Sequence, residues 1–280
     1  MVERWRPTAL VWLSIGLHGV ALILLLAHPG WWAWLLSVLV GNHLVLGLAG
    51  LWPRCQWLGP SLYCLPNPGR AVALTFDDGP DPAVTPAVLD LLATAGIKAS
   101  FFCIADRARA HPDLVRRMVA AGHGVENHTL SHRKYFACLA GGALRREVVE
   151  AQAVLERAAG RAPRWFRPPM GIRSPLLGMV LARAGLQQAT WSRRGYDTRR
   201  RDPAAILRSL LHGVEPGDVL LLHDGNSARM EDGTAVVLRV LPALLAGLAE
   251  RGLRGVPLPG ATAERAGVAE IPASGVHASR

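Results

Sequence analysis

The chain has 280 residues, 50% of them hydrophobic, with a formal net charge of +10 and a pI of about 10.6. That length holds one sizeable domain plus appendages. Arginine carries nearly all of the positive charge, with Lys98 and Lys134 the only lysines, and the basic residues do not alternate with aromatics along a stripe, so no nucleic-acid partner is expected.

Two stretches without formal charge come first, Thr8 to Ala27 and Trp31 to Leu51. Each has about 20 residues, enough for a helix to cross the hydrocarbon of a bilayer. Seven of the nine tryptophans fall within the first 57 residues, most near the ends of these stretches, where indole rings favour the headgroup region. A pair of core helices or a signal peptide shares this composition. A signal peptide explains one stretch only, and no small-x-small site follows the first. The expectation is a two-helix transmembrane hairpin over residues 1–52, with membrane lipid as its partner. Its turn, His28 to Gly30, lacks Lys and Arg, whereas Arg4, Arg6 and Arg54 flank the spans. The positive-inside rule then favours the cytoplasmic side of the inner membrane for the rest of the chain.

Residues 53–70 read as a connector. Beyond them strand-like and helix-like segments alternate. The strands are 71–76, 99–104, 124–127, 164–166, 187–191 and 218–222; the helices are 84–95, 112–121, 142–159, 175–184, 203–212 and 234–250. Such repetition predicts a parallel sheet covered by helices. Its compactness favours a distorted (β/α)7-8 barrel, with functional residues at the C-terminal strand ends. The domain is expected over 71–256, and the Pro-, Gly- and Ala-rich residues 257–280 are expected to lack order. No C-x-x-C occurs among the four cysteines; Cys103 reads as core, and Cys55 and Cys64 would pair only in an oxidising compartment.

Polar residues gather at the predicted strand ends. Asp77 and Asp78 follow the first strand, although Asp-Gly-Pro is also a common strand terminator. His128 and His132 follow the third, Arg167 the fourth, Asp197 the fifth, and His223 and Asp224 the sixth. His-x-x-x-His places two imidazoles one helical turn apart. Residue 129 is Thr, which excludes the H-E-x-x-H metalloprotease pattern. Two neutral histidines and one of the paired aspartates can hold a divalent metal, leaving the other aspartate free as a base. His223 is a candidate acid, and Arg167 can pin the base by a bidentate contact. Gly171 would let backbone N–H groups approach a developing oxyanion.

Taken in order, "TFDDGP" (75–80), "HTLSH" (128–132), "RPPMG" (167–171), Trp191 to Asp197, and "LLHD" (221–224) resemble the motifs of the NodB-homology polysaccharide deacetylases, carbohydrate esterase family 4. The resemblance covers Ala71 to about Leu248. It implies a distorted (β/α) barrel and metal-dependent deacetylation of sugars. It assigns Asp77 as general base, and Asp78, His128 and His132 as ligands of a divalent ion, zinc first and cobalt second. Arg167 would orient the base, His223 would be the acid, Asp197 would tune it, and the Met170 N–H would enter the oxyanion hole. Two departures stand out. Met170 replaces the usual aromatic, and Thr198 replaces the Trp that usually walls the polymer groove.

The resulting expectation is a membrane-anchored N-deacetylase acting on an N-acetylated saccharide, lipid-linked or phosphate-bearing, with Trp191, Arg199 and Arg200 as substrate contacts. A same-fold hydrolase of a non-sugar amide or formamide is the alternative. A 2-His-1-carboxylate iron oxygenase would leave one aspartate without a task, and a non-catalytic scaffold would not need the full polar set.

Overall fold

The computed structural model describes residues 5–261. Two long helices come first, α1 (Ala9–Ala27) and α2 (Trp32–Leu51). Both are long and apolar enough to cross a membrane, and most of their large side chains are exposed. Thr8 caps α1 with its side chain, and Asn42 of α2 donates a hydrogen bond to Ser14 Oγ of α1 at 2.8 Å.

The remainder is one curled, all-parallel sheet with helices outside. The strands are β1 (Ala71–Asp77), β2 (Ser100–Cys103), β3 (Gly124–Asn127), β4 (Trp165–Phe166), β5 (Gln187–Gln188), β6 (Arg193–Arg194), β7 (Val219–His223) and β8 (Arg254–Val256). They run in the order β5-β4-β3-β2-β1-β7-β6, and β8 pairs with the start of β1. The helices are α3 (Thr85–Thr94), α4 (Ala105–Ala110), α5 (Pro112–Ala120), α6 (Gly141–Ala159), α7 (Leu177–Arg183), α8 (Pro203–Leu211) and α9 (Val236–Glu250).

Alternation along the strands separates two cores. Val72, Leu74, Phe76, Phe101, Cys103, Leu220 and Leu222 face the helices. Ala71, Ala73, Phe102, Val219 and Leu221 face inward, where they pack with Trp165 and Trp191. Thr75 and Asp77 continue the inward series of β1 and form its top layers. The interior is therefore apolar at the base and polar at the C-terminal edge.

Three expectations change. The connector is part of the wall: Leu62 bridges to Ala189, and Cys64 bridges to Asp218, spanning from the end of β5 to the start of β7. Of the strand expected over 187–191, only Gln187 and Gln188 join the sheet ladder, with Ala189 in the isolated bridge to Leu62, and β6, β8 and α4 are additional. The start of the expected disordered tail is packed: Leu258 and Ala261 are buried in the inner core, and Pro259 accepts a hydrogen bond from Trp165 Nε1 at 2.9 Å. Residues 262–280 lie outside the described residues. All four cysteines are free thiols, with Cys55 and Cys103 buried.

Glu126 of β3 is buried in this interior. Its Oε2 accepts from the N–H groups of Arg164 at 2.9 Å and Trp165 at 2.7 Å, and its Oε1 has no partner. Burial pushes its pKa up to about 8, against the pull of the Trp165 N–H and of Arg161 and Arg164. A carboxyl whose folded pKa exceeds its unfolded value favours folding at low pH and loses that contribution as pH rises towards the folded value. Glu126→Gln is neutral throughout. Its thermal unfolding midpoint should fall less than that of the wild type between about pH 5 and about pH 8, measured by calorimetry or dichroism.

Candidate active site

Parallel strands deliver their C-terminal ends to one edge, and the register brings the polar residues together there. Asp77 at the end of β1 is the register partner of His223 at the end of β7. Asn127 and Phe166 are partners on β3 and β4, so the residues after them, His128 and Arg167, are neighbours.

Strict alternation would turn Asp78 to the opposite face from Asp77. The chain avoids this with a left-handed backbone at Asp78, φ 71°. Both carboxylates then face the mouth. Gly79 is required next, because a Cβ there would lie 2.1 Å from Asp224 Oδ2. Asp224 is buried and its Oδ2 accepts from Thr85 Oγ1 at 2.6 Å. Its pKa rises to about 7, chiefly through burial; the Thr85 bond opposes this and the Asp78 and Asp77 charges add to it.

His128 and His132 are not one helical turn apart. Their segment is an irregular loop, with Thr129 at φ 69° and His132 at φ 53°. Side chains hold its shape. Asn127 Oδ1 accepts from the Thr129 N–H at 2.9 Å, and Thr129 Oγ1 accepts from the His132 N–H at 3.0 Å. Glu147 of α6 accepts from the Ser131 N–H at 3.0 Å, Ser131 Oγ at 2.7 Å and Arg133 Nε at 2.9 Å.

The loop brings His128 Nε2 to 3.2 Å and His132 Nε2 to 3.1 Å from Asp78 Oδ1. These separations are close to the edge of a tetrahedron of ligands around a zinc ion, about 3.3 Å for bonds of about 2 Å. His128 Nδ1 donates to the Arg167 carbonyl at 2.8 Å, which leaves Nε2 facing Asp78, as a lone pair when the ring is neutral and as a donor when it is protonated. Asp78 Oδ1 is buried without a hydrogen-bond donor. Converging acceptors of this kind fit a divalent cation. Burial would raise the Asp78 carboxyl, but contact with His128 and the fields of His128, His223 and His132 hold it below the usual carboxylate range. Burial and the His128 charge lower the pKa of His132, favouring the neutral ring that a ligand requires.

Asp77 lies beside this set, its Oδ2 3.9 Å from His128 Nε2. Its other oxygen accepts from Arg167 Nη1 at 2.6 Å. The contact is single, because Nη1 also reaches Thr75 Oγ1 at 3.0 Å and Nη2 donates to the Thr190 carbonyl at 2.8 Å. The expected bidentate pinning is thus replaced by a network. His223 receives a double hold from Asp197: Oδ1 pairs with its Nδ1 at 2.8 Å and Oδ2 accepts its backbone N–H at 2.8 Å. Burial alone would lower the His223 pKa; Asp197 outweighs it and raises it. Met170 sits at φ 57° in the tight turn Pro169–Gly171, half-exposed at the mouth. Trp191 is buried against this turn. Arg199 is exposed, and Arg200 bonds Ser209 of α8 at 2.6 Å, so neither joins the group.

Residues 65–189 match the family model described as polysaccharide deacetylase. A chitooligosaccharide deacetylase of Sinorhizobium fredii is 41% identical over 202 residues, 69% of this chain and 89% of the relative. The chain belongs to the polysaccharide deacetylase family. A peptidoglycan-N-acetylglucosamine deacetylase of Bacillus cereus is 33% identical over 64% of this chain and 84% of its own length. Among solved structures, the family 4 carbohydrate esterase from Streptomyces lividans in complex with acetate is 31% identical, with a TM-score of 0.61 over 67% of this chain and 92% of that one. The curled parallel sheet is the fold of this polysaccharide deacetylase family.

Sequence reasoning missed the residues that support the cluster. Asn226 donates to Asp78 Oδ2 at 3.1 Å, and Arg107 donates to the Asp78 carbonyl at 2.8 Å and to Asn226 Oδ1 at 3.0 Å. Glu147 was legible only as one polar residue on an amphipathic helix. Such supporting contacts orient ligands, and their loss typically weakens metal binding by about 10-fold or more. Glu147→Gln should show that weakening for zinc, measured by competition with a chromophoric chelator, with the overall dichroism spectrum retained.

Proposed function

We propose that this chain is a metal-dependent N-deacetylase that hydrolyses the acetamido group of a saccharide at a membrane surface. The observation that carries the proposal is the Asp78–His128–His132 donor set, flanked by Asp77 and His223. These three residues would hold the ion, most readily zinc, with cobalt a second candidate. When bound, the ion supplies a Lewis acid and a water of lowered pKa.

Asp77 takes the proton from the attacking water through Oδ2, the oxygen that Arg167 leaves free. The Met170 N–H, in the tight turn beside the mouth, would donate to the developing oxyanion. His223 has Nδ1 committed to Asp197 and therefore offers Nε2 to the leaving nitrogen. Its raised pKa keeps a proton available for that transfer.

The relatives named for chitooligosaccharides and peptidoglycan N-acetylglucosamine support an N-acetylated sugar as substrate. The two exposed apolar helices support anchoring in the inner membrane as a hairpin. Arg4, Arg6 and Arg54 then favour the cytoplasmic side for the domain.

The test is acetate release by the full-length protein in detergent from N-acetylated saccharides. Activity should vanish on chelation and return with zinc or cobalt; turnover unaffected by chelation would refute the proposal. Asp77→Asn should lower kcat by about 10²-fold or more, with zinc still bound, as expected for loss of a general base. Asp197→Asn should move the alkaline limb of the kcat/KM profile to lower pH. The sign follows from the role: His223 must be protonated, activity falls as pH rises through its pKa, and removing Asp197 lowers that pKa.

A further inference from the structure

A cleft of ≈ 230 Å³ opens beside the site, between the end of α2 and the loops at the mouth. Trp52 and Arg54 form one wall, and Trp191, Arg194 and Tyr196 the other. It borders the reacting centre closely. Trp191 packs so tightly on the turn that carries Met170 that a Cβ at Gly171 would lie 2.3 Å from its ring. The same indole lies 5.8 Å from the Arg167 guanidinium, which holds Asp77.

The cleft carries positive charge without a counter-charge. Arg194 lies between the rings of Trp191 and Tyr196, at 5.3 and 5.1 Å, and its buried Nε has no hydrogen-bond partner. Arg54 donates to the Ser192 carbonyl on the rim. Among the described residues neither arginine is paired with a carboxylate; the nearby Asp218 is taken by Arg193. Two unneutralised guanidinium groups among aromatics suit a phosphate ester with an apolar neighbour.

The surroundings show where that apolar neighbour would be. Beyond the two helices and the turn that joins them (residues 9–51), the exposed large hydrophobic residues among those described are Trp52, Trp57, Tyr135, Met170, Leu176 and Tyr196. Each lies on the connector or on a loop at the C-terminal edge of the sheet, the same edge as the active site. Arg173, in the loop after Met170, donates to the carbonyls of Ala49, Trp52 and Cys55 at the end of α2. The end of the apolar hairpin and the catalytic mouth are therefore one surface, fringed with the residues that favour a lipid interface.

We infer that this cleft is a phosphate subsite for the substrate, taking the phosphate ester that joins the acetamido sugar to a membrane-embedded lipid. The inference rests on the deacetylase reading above and specifies its substrate class. Arg54 and Arg194 bind the phosphate, Trp191 separates it from the acetamido group by one ring, and the lipid chain leaves past Trp52 along the hairpin. Arg200 lies over the Tyr196 ring at 4.9 Å and bonds Ser209, whereas Arg199 is exposed.

The experiment compares two substrates with the full-length protein in neutral detergent. One is N-acetylglucosamine joined through phosphate to a short isoprenoid alcohol; the other joins the same sugar and alcohol as a plain glycoside. The wild type should prefer the phosphate ester by about tenfold or more in kcat/KM, the value of a charge-assisted hydrogen bond. Arg194→Gln and Arg54→Gln should each reduce that preference by about tenfold, through KM rather than kcat. A wild-type ratio near unity, or a ratio preserved in both variants, overturns the inference. Tryptophan quenching by the isoprenyl phosphate alone gives a Kd that needs no turnover. That Kd should weaken about tenfold in Arg194→Gln, and an unchanged Kd overturns the inference even if neither substrate releases acetate and the deacetylase reading itself fails. A third arm adds excess phosphatidylglycerol to the micelles. If this erases the phosphate preference, the cleft takes a bilayer headgroup and the substrate assignment falls.

Discussion

A single buried cation sets the terms for the rest of the structure. Arg167 is fully buried in the barrel interior, and a guanidinium there is stable only if its donors are occupied. Asp77 and Thr75 from β1, the carbonyls of Ala189 and Thr190 after β5, and the face of Phe102 on β2 meet that demand. These partners lie on strands far apart in the sheet order, so the sheet must curl to supply them. Removing one charged partner of a buried pair typically costs about 3–5 kcal/mol, because the other is left bare. The small side chains of Ala71 and Ala73 beneath Thr75 fit the same requirement: they leave room for Arg167, Trp165 and Phe102 to fill the interior. Arg167 also acts through its backbone, since its carbonyl fixes the tautomer of His128. One residue thus orients both the candidate base and a candidate ligand.

The adjacent aspartates are tolerable because each has its own neutralising environment. Asp77 faces Arg167, whereas Asp78 faces two imidazoles and Asn226. A third carboxyl, Asp224, lies next to Gly79, and burial first, with the charges of Asp78 and Asp77 adding to it, pushes its pKa up to about 7. A divalent ion would change that balance, since its charge would serve all three carboxyls at once. The left-handed backbone at Asp78 and the absence of a side chain at Gly79 are the local conditions for this crowding.

Much of this was legible in the sequence, for a definite reason. β1 and β7 are continuous apolar runs that end in charged residues, and a parallel sheet sends such ends to a common edge. The partners at that edge followed from topology before any distance was known. The elements that escaped notice are those with no periodicity to read. β6 is two arginines, β8 contains a glycine, and Leu62 and Cys64 sit in a segment rich in Pro and Gly. His128 and His132 had the spacing of a helical turn, but side-chain acceptors from Asn127, Thr129 and Glu147 impose a loop instead. Arg199 and Arg200 were expected as substrate contacts, since they belong to an arginine-rich stretch that follows Asp197. The fold places Arg194 against the rings of Trp191 and Tyr196 with its buried Nε lacking a partner, a placement that has no signature in the sequence.

The join between hairpin and domain follows from the same accounting of buried polar groups. The last carbonyls of a helix lack partners within it. At the end of α2 a buried arginine, Arg173, supplies donors to them, and its own backbone N–H bonds the Gly50 carbonyl at 3.1 Å. Such a cation at a helix C-terminus is favourable to both sides, because the helix end carries partial negative charge. Arg173 stands three residues after Met170 on the loop proposed to receive the oxyanion. Separating the hairpin from the domain would strip acceptors from a buried guanidinium at the foot of that loop. The Thr190 hydroxyl, which donates to the Pro53 carbonyl at 2.9 Å and lies 3.2 Å from Ser61 Oγ, ties the start of the connector to the strand end whose carbonyl holds Arg167. The apolar helices are thus tied into the hydrogen-bonding that shapes the catalytic mouth.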